Sequence, residues 1–437
     1  MKRYTAGFWI FADRNSRHEK VGGYIAQMQS LEGYRLLDFG TAQAGPQVAQ
    51  LLADMGMEVI KIETRIKPDG VRLGHPMTGI DTGNVDESKW LDMQPVFHIM
   101  NRNKLSFTIN LKHPRATEVF KRLIKISDVV LDNFSPGVMA RLGLDQPNLE
   151  KINKGIISMS LSGCGESGPL KDTLVYAPLI ISLGGMESML GYYGDKQPMN
   201  LVPGYGDTNA SIHGAFAILA ALWHREETGE GQHISLAEAY AVTNLLGEAI
   251  MDYMMNGNVP GLQGNRHPVL CPHGNYPCRG KDKWVAIAVD TEEEWQNLCT
   301  ALGAPEWLTD ERFNDKGNRR QHREELDKLI AAKTVNYEAY DITGILQKMN
   351  VAATPVMNCE DQYNDPHFRY KKTFVEINHP LVGKELIYGN PMRLSEMPPE
   401  IRRIAPDLGE HNDYVLQKLL GYSEQEAAEL VQEQVIY

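Results

Sequence analysis

The sequence is poor in cysteine. Five residues in 437 (Cys164, Cys271, Cys278, Cys299 and Cys359) form an odd, sparse set. Such a set suits a reducing cytoplasm better than a disulfide framework. The stretch CPHGNYPC (271–278), with His273 between its cysteines, has no second ligand pair at a useful spacing, so no metal site is expected. Long apolar runs are missing too. None approaches the roughly 18 residues of a membrane span. The opening MKRYTAGFWIFADRNSRHEK begins basic, but Asp13, Arg14 and Asn15 break its apolar stretch too early for a signal-peptide core. Nor is positive charge in excess. Lys plus Arg is 44 against 56 Asp plus Glu, a net charge of −12. That balance argues against a general nucleic-acid binder, whose affinity comes from neutralising phosphates. A local basic pocket for one phosphorylated small molecule remains open. The turn DFGTAQAGP is not G-x-G-x-x-G, so it does not support a nicotinamide site; a Walker loop and a G-x-S-x-G elbow are absent, and with them the usual signals for a P-loop and a serine hydrolase. There is no short repeat and no low-complexity tract.

What is present is ordinary globular composition, 42% apolar and 23% charged, over a length that implies two or three domains at ~150 residues each. Residues 1–30 read as an extension, an alternative start or an arm on a partner chain. YRLLDFG (34–40) is a buried-strand run, QVAQLLADMG has helical spacing ending at Gly56, and EVIKIE (58–63) is the next strand. This is a βαβ unit. The pattern repeats with strands at 106–111, 128–134 and 155–163 and helices at 114–126 and 137–153. The expected fold is therefore α/β, a large Rossmann-like parallel sheet covered on both faces. Ile212, Phe216, Leu219 and Trp223 recur at spacings of a single helix face. HISLA suggests a short strand, and a second helix follows. Residues 257–280 read as a linker or active-site loop. A smaller α+β domain is expected over 281–360, leaving 31–256 as the large domain and 361–437 as a C-terminal segment.

Three motifs are candidates for chemistry. In DFGTAQAGP (38–46), Gln43 sits between glycines just before a helix start, where free N–H groups can face an anion or a carbonyl oxygen. In NRNKLSFTINLK (101–112) and DNFSPG (132–137), Lys104, Lys112 and Arg141 fall near strand ends, where ligands of parallel sheets bind. In PGYGDTNAS (203–211), Asp207 follows two glycines and precedes a strong helix. An N-cap role is the plain reading. The same placement would hold a carboxylate oriented for attack on a substrate. His213 reads as packed, and Cys164 has no evident base beside it.

Taken together, LDFGTAQAGP, ADMGMEVIKIE, NRNKLSFTINLK, DVVLDNFSPG…RLG, SLSGCGESGP, PGYGDTNASIHGAFAILAAL, TGEGQHISLA and APDLGEHNDYVL resemble the class III CoA-transferases. That family includes formyl-CoA:oxalate, carnitine and bile-acid enzymes. The match runs from Leu31 to the C-terminus. The resemblance implies a large Rossmann-like domain, a smaller domain, and a C-terminal return to the large one, with two chains interlocked. It places the nucleophile on Asp207 and a residue near the reacting thioester on Gln43. CoA-contacting positions fall on Ala42, Lys112, Asn133, Phe134, Arg141 and Tyr176. No tightly bound cofactor is implied; coenzyme A enters as acyl-CoA substrate, with succinyl-CoA among the candidate donors. A glutamate that follows the tyrosine in the oxalate enzyme is Ala177 here. Thr64 and Arg65 replace a basic residue after the second strand, and GLQGNRHPVLCPHGN stands where the oxalate enzyme has a run of glycines. These departures put oxalate in doubt as acceptor. Arg266, His267 and His273 in that loop are compatible with an anionic acid such as a dicarboxylate or an aryl-substituted succinate. The rival within the fold is an α-methylacyl-CoA racemase, which needs two proton-transfer groups where this sequence has Asp207 and Tyr176. Another alternative is one subunit of a heteromeric transferase.

Overall fold

The computed structural model describes residues 29–74, 85–201 and 204–437. Residues 1–28 of the expected extension, and Pro203 of the third motif, lie outside the described residues. Six parallel strands form the central sheet: β1 (Arg35–Asp38), β2 (Glu58–Glu63), β3 (Lys104–Thr108), β4 (Val129–Asp132), β5 (Ile157–Ser162) and β6 (His233–Ala237). Their spatial order is β3-β2-β1-β4-β5-β6. Leu36 of β1 is in register with Val59 on one side and Val129 on the other. The chain winds outward from β1 in one direction and from β4 in the other. Such a reversal opens a crevice at the carboxyl ends of the two strands.

The strands read as Val-, Ile- and Leu-rich runs because both faces of the sheet are covered. The connecting helices are α1 (Ala44–Asp54), α2 (Pro95–Asn101), α3 (Ala116–Lys125), α4 (Val138–Arg141), α5 (Gln146–Leu149), α6 (Ala177–Leu183), α7 (Tyr205–Thr228), α8 (Glu238–Thr243) and α9 (Gly247–Asn256). The expected helix over 137–153 is thus two short pieces. The second restarts with Pro147 in its first turn, where a missing N–H costs little. On one face, α1 and α7 bury Val48, Leu52, Ile218 and Leu222 against Leu36, Val59, Val129 and Met159. On the other, Phe120 and Leu123 of α3 pack on Leu37, Ile60 and Phe107.

The C-terminal segment returns to that second face. Val415, Leu416, Leu430 and Ile436 join its core, and Asn110 N donates to Val435 O at 2.8 Å. Between the two lies a three-stranded antiparallel sheet, β7 (His273–Pro277), β8 (Trp284–Ala288) and β9 (Ala352–Pro355). Its core contains Trp295, Leu298, Cys299, Ile330 and Leu346 together with Cys271 and Cys278. A hairpin, β10 (Phe374–His379) with β11 (Gly383–Tyr388), leads into the C-terminal return. Among the described residues, no helix is long and apolar enough to cross a membrane.

Helix α7 departs from expectation in one respect. Its buried face is Ala210, Ser211, Gly214, Ile218, Ala221 and Leu222. The apolar stripe read from the sequence points away from the sheet, with Phe216 73% exposed and Ile212 58% exposed. Close approach decides this. A Cβ on Gly214 would lie 2.7 Å from Met159 Cε and 2.9 Å from Val48 Cγ2. Only small residues fit there, so the large ones occupy the other side. Periodicity identifies a stripe but not which stripe a chain buries by itself.

Candidate active site

The carboxyl ends of β1 and β4 feed the two turns that build the site. After β1 the chain turns through Gly40–Gln43 into α1. Asp38 Oδ1 accepts from Gly40 N at 2.8 Å, and Lys61 Nζ donates to Gly40 O at 2.7 Å. Ala42 is held in the left-handed region at φ 58°, its N–H donating to Asp69 Oδ1 at 2.9 Å. A non-glycine residue there is strained and persists only because its surroundings over-determine it. After β4, Asn133 clamps the same turn. Its Oδ1 accepts from Thr41 N at 2.8 Å and its Nδ2 donates to Thr41 O at 2.9 Å. Asp132 accepts from Phe134 N at 3.0 Å and from Ser160 Oγ at 2.8 Å.

Opposite this pair of turns stands the head of α7. Gly204 caps it at φ 87°, and a Cβ there would collide with the Gln43 carboxamide. Gln43 Nε2 donates to Gly204 O at 3.2 Å and to Thr208 Oγ1 at 3.1 Å. Gln43 therefore ties the β1 turn to the helix that carries Asp207. The N–H groups of Ala44 and Gly45 in the first turn of α1 have no intrahelical carbonyl to bond, and Ala44 lines the cavity. Asp207 is not the N-cap that the sequence suggested. The helix starts two residues earlier because Gly204 supplies the left-handed cap, so Asp207 sits in the first turn, at the positive end of the helix dipole.

Ala42, Gln43, Asn133, Phe134, Tyr176 and Asp207 line one cavity of about 540 Å³. Lys112 and Arg141 do not. They are exposed on the segments that follow β3 and β4, on the same edge of the sheet but outside that lining. Lys104 is elsewhere in character. It opens β3, is fully buried, and donates to Asp38 Oδ2 at 2.7 Å, Pro46 O at 2.8 Å and Asn101 Oδ1 at 2.9 Å. Burial pushes its ammonium down to about 8, against the pull of Asp38. It supports the turn and is not available to a phosphate. Among the described residues lining the cavity, Lys171 is the only cation. Arg266 donates to Glu324 at 2.9 Å and stacks on Tyr193, and neither it nor His267 nor His273 lines the cavity. His213 bonds to Asn209 O at 2.9 Å, as a packed residue would. Cys164 lines the cavity but is buried, and burial followed by the charge of Glu238 pushes its thiol up, away from thiolate character.

One residue was missed. Glu238, the first of α8, lines the cavity, is 6% exposed, and is hydrogen-bonded to Asp207. Burial, then the Asp207 charge and that hydrogen bond, push its carboxyl up to about 9. Burial also raises Asp207, with the Glu238 hydrogen bond acting in the opposite direction. The signal was in the sequence. GQHISLAEA places the first acidic residue directly after a short strand, the position where β4 supplies Asn133.

Residues 31–412 match CoA-transferase family III. The chain is 32% identical over 408 residues to a succinyl-CoA–D-citramalate CoA-transferase of Chloroflexus aurantiacus, covering 93% of this chain and 98% of that one. It is 31% identical over 411 residues to the succinyl-CoA–L-malate CoA-transferase beta subunit of the same organism, covering 93% and 98%. It is 31% identical over 423 residues to a formyl-CoA:oxalate CoA-transferase of Afipia carboxidovorans, covering 92% and 96%. Among solved structures, a CAIB/BAIF family protein from Brucella suis superposes with a TM-score of 0.80 at 28% identity, over 90% of this chain and all of that one. The chain belongs to CoA-transferase family III and is a CoA-transferase.

Proposed function

We propose that the chain moves CoA from succinyl-CoA to a free carboxylic acid through a covalent intermediate on Asp207. The observation that carries this reading is the position of Asp207. It sits at the head of α7 and shares a cavity at the sheet's switch point with the Gln43 turn, Asn133, Phe134 and Tyr176. The succinyl donor is supported by the names of two relatives. A carboxylate nucleophile suits the task because thioester and anhydride steps are nearly balanced, so little of the thioester's free energy is dissipated. Asp207 attacks the donor carbonyl, and CoA leaves as thiolate. The thiolate then attacks the aspartyl carbonyl and displaces the donor acid. The acceptor carboxylate reverses the sequence. First-turn N–H groups of α1 face the developing oxyanions, and substrate filling the cavity keeps water from the intermediates. Ala42, Asn133, Phe134 and Tyr176 form the wall for the pantetheine arm, while Lys112 and Arg141 on the rim meet the CoA phosphates. Lys171 is the cavity cation placed to meet an anionic acceptor. Free cysteines suit a reducing compartment such as the cytoplasm.

A second copy of the chain completes this reading. Phe216 and Ile212 on α7 and Tyr253, Met254 and Met255 on α9 form exposed apolar surface, with Met254 74% exposed. Large apolar side chains left exposed on two helices suit an interface. An intertwined homodimer covers it; a hetero-oligomer is the alternative, since one relative is named as a beta subunit.

The experiment is a donor-by-acceptor screen with the purified chain, its mass in solution measured alongside. Transfer by a dimer is expected, with Asp207→Ala reducing it by about 10⁴-fold or more, as nucleophile removal does elsewhere. Heavy oxygen supplied in the acceptor acid is expected to accumulate in the Asp207 carboxylate over many turnovers. Retained transfer in Asp207→Ala would remove the covalent role, and a monomer active at full rate would remove the homodimer.

A further inference from the structure

We propose that Glu238 is the positioning residue for the nucleophile: its protonated carboxyl donates to one oxygen of Asp207, aims the other at the thioester, and holds the charge that develops when thiolate attacks the aspartyl carbon. The proposal rests on the reading of Asp207 as nucleophile and goes beyond it.

The geometry comes first. Two carboxyls, from the head of α7 and the head of α8, line one cavity, close enough to share a hydrogen bond. A hydrogen bond between two carboxyls requires a proton on one of them. Glu238 Oε2 is buried, and no donor among the described residues bonds to it. Two carboxylates at this separation in a desolvated site cannot both ionise. The proton falls to Glu238 because it is the more deeply buried of the two. Asp207 is half-exposed and stands at the N-terminus of a 24-residue helix, which favours its charge. The result is one carboxylate able to attack and one neutral acid able to donate.

The groups facing Glu238 come from several elements. Asp207 faces it from α7 and the Cys164 thiol from the segment after β5, while Lys171, Asp172 and Tyr176 line the same cavity. Among the described residues no cation acts on it, and the head of α8, a helix of only six residues, does little to offset the cost of ionising it.

The chemistry balances without moving that proton. In the first step an Asp207 oxygen bonds to the thioester carbon, the C–S bond breaks, and its electron pair leaves on sulfur. In the second, sulfur bonds to the Asp207 carboxyl carbon, the anhydride C–O bond breaks, and the donor acid leaves as carboxylate. Throughout, Glu238 O–H stays on the second Asp207 oxygen. That oxygen is a carboxylate oxygen at rest, a carbonyl oxygen in the anhydride, and an oxyanion when thiolate has added to the aspartyl carbon. The donor therefore stabilises that tetrahedral stage relative to the anhydride before it, which is where a hydrogen bond accelerates the step.

The test compares Glu238→Ala and Glu238→Gln. Removing the donor is expected to lower kcat by about 100-fold, the scale of losing one oxyanion donor, with the KM for acyl-CoA nearly unmoved. The amide of Glu238→Gln still donates and is expected to recover most of that loss. In the wild type, transfer should fall as pH rises through about 9, where Glu238 ionises beside Asp207. Glu238→Gln should lack this alkaline limb, whereas Lys171 and Tyr176 remain in that variant and would keep any limb of their own. An infrared difference spectrum of resting protein, wild type minus Glu238→Gln at neutral pH, should show the carbonyl stretch of a protonated acid. Wild-type kcat in a folded Glu238→Ala protein, an alkaline limb in Glu238→Gln with the same midpoint and depth as in the wild type, or absence of the acid band would each overturn the proposal. If Glu238→Ala does not fold, Glu238→Gln and the spectrum decide. Loss of all transfer in the wild type would count against the Asp207 reading instead, since the acid band is read without turnover.

Discussion

Two kinds of lysine stand around the site. Lys61 and Lys104 lie beneath the β1 turn, both fully buried and both engaged. Lys61 bonds to Gly40 O and pairs with Asp69 at 3.2 Å, and Lys104 pairs with Asp38. Lys112, with Arg141, lies on the rim and is exposed. The first group shapes the backbone that faces the substrate and never meets it. The second is free to meet an anion and shapes nothing. The residue type is the same; its position along the strand differs. Lys61 and Lys104 are strand residues, held between the layers, whereas Lys112 follows the end of β3 by four residues. A buried cation is tolerable only when paired, and once paired it is committed.

The sharpest way to break this contrast is Lys104→Ala. Removing one partner of a buried pair leaves Asp38 charged and unpaired, at a cost of about 3–5 kcal/mol. Chemical denaturation should show a loss of that size, and CoA transfer should fall with it as the Gly40–Gln43 turn relaxes. An unchanged midpoint would mean that the buried charges do not hold the turn.

Asp69→Asn probes the same region more gently. Burial alone would raise the Asp69 carboxyl. Lys61, then the N–H groups of Ala42 and Val71, outweigh it and hold the carboxyl below its ordinary value. A depressed carboxyl stabilises the fold above its unfolded value near 3.8, and that stability is lost as pH falls through the lower folded value. The amide variant should therefore be less stable at neutral pH by about 1.5–3 kcal/mol, the worth of hydrogen bonds to a charged group. The gap should close in acid. A gap that stays constant between pH 7 and pH 3 would assign the effect to shape rather than charge.

These contrasts also show what the sequence could and could not reveal. The strand and helix order, the Gln43 turn, and Asp207 as a site residue were legible, because periodicity and turn residues act locally. Lys104 was misplaced because one-dimensional spacing does not say whether a strand-end lysine points into the layer or past it. The stripe of Ile212, Phe216, Leu219 and Trp223 was legible as one helix face, but a sequence pattern does not say whether a face packs on the sheet or stays exposed in the single chain, as Phe216 and Ile212 do. Glu238 was overlooked because its partner, Asp207, is 31 residues earlier. A carboxyl pair of this kind exists only after α7 and α8 pack together.

The smallest expected effects are on the rim. Lys112→Ala and Arg141→Ala should each leave stability within about 0.5 kcal/mol, as exposed substitutions do. Each should raise the KM for acyl-CoA by roughly 3–10-fold at low salt, since one charge–phosphate contact in high dielectric is worth about 1 kcal/mol. The difference from wild type should shrink as ionic strength rises and the Debye length falls below 10 Å. Lys104→Ala should show no such salt dependence, because a fully buried pair is screened far less. If the rim variants instead lower stability, or their effect on KM is indifferent to salt, the division between lysines that build the site and cations that greet the ligand does not hold.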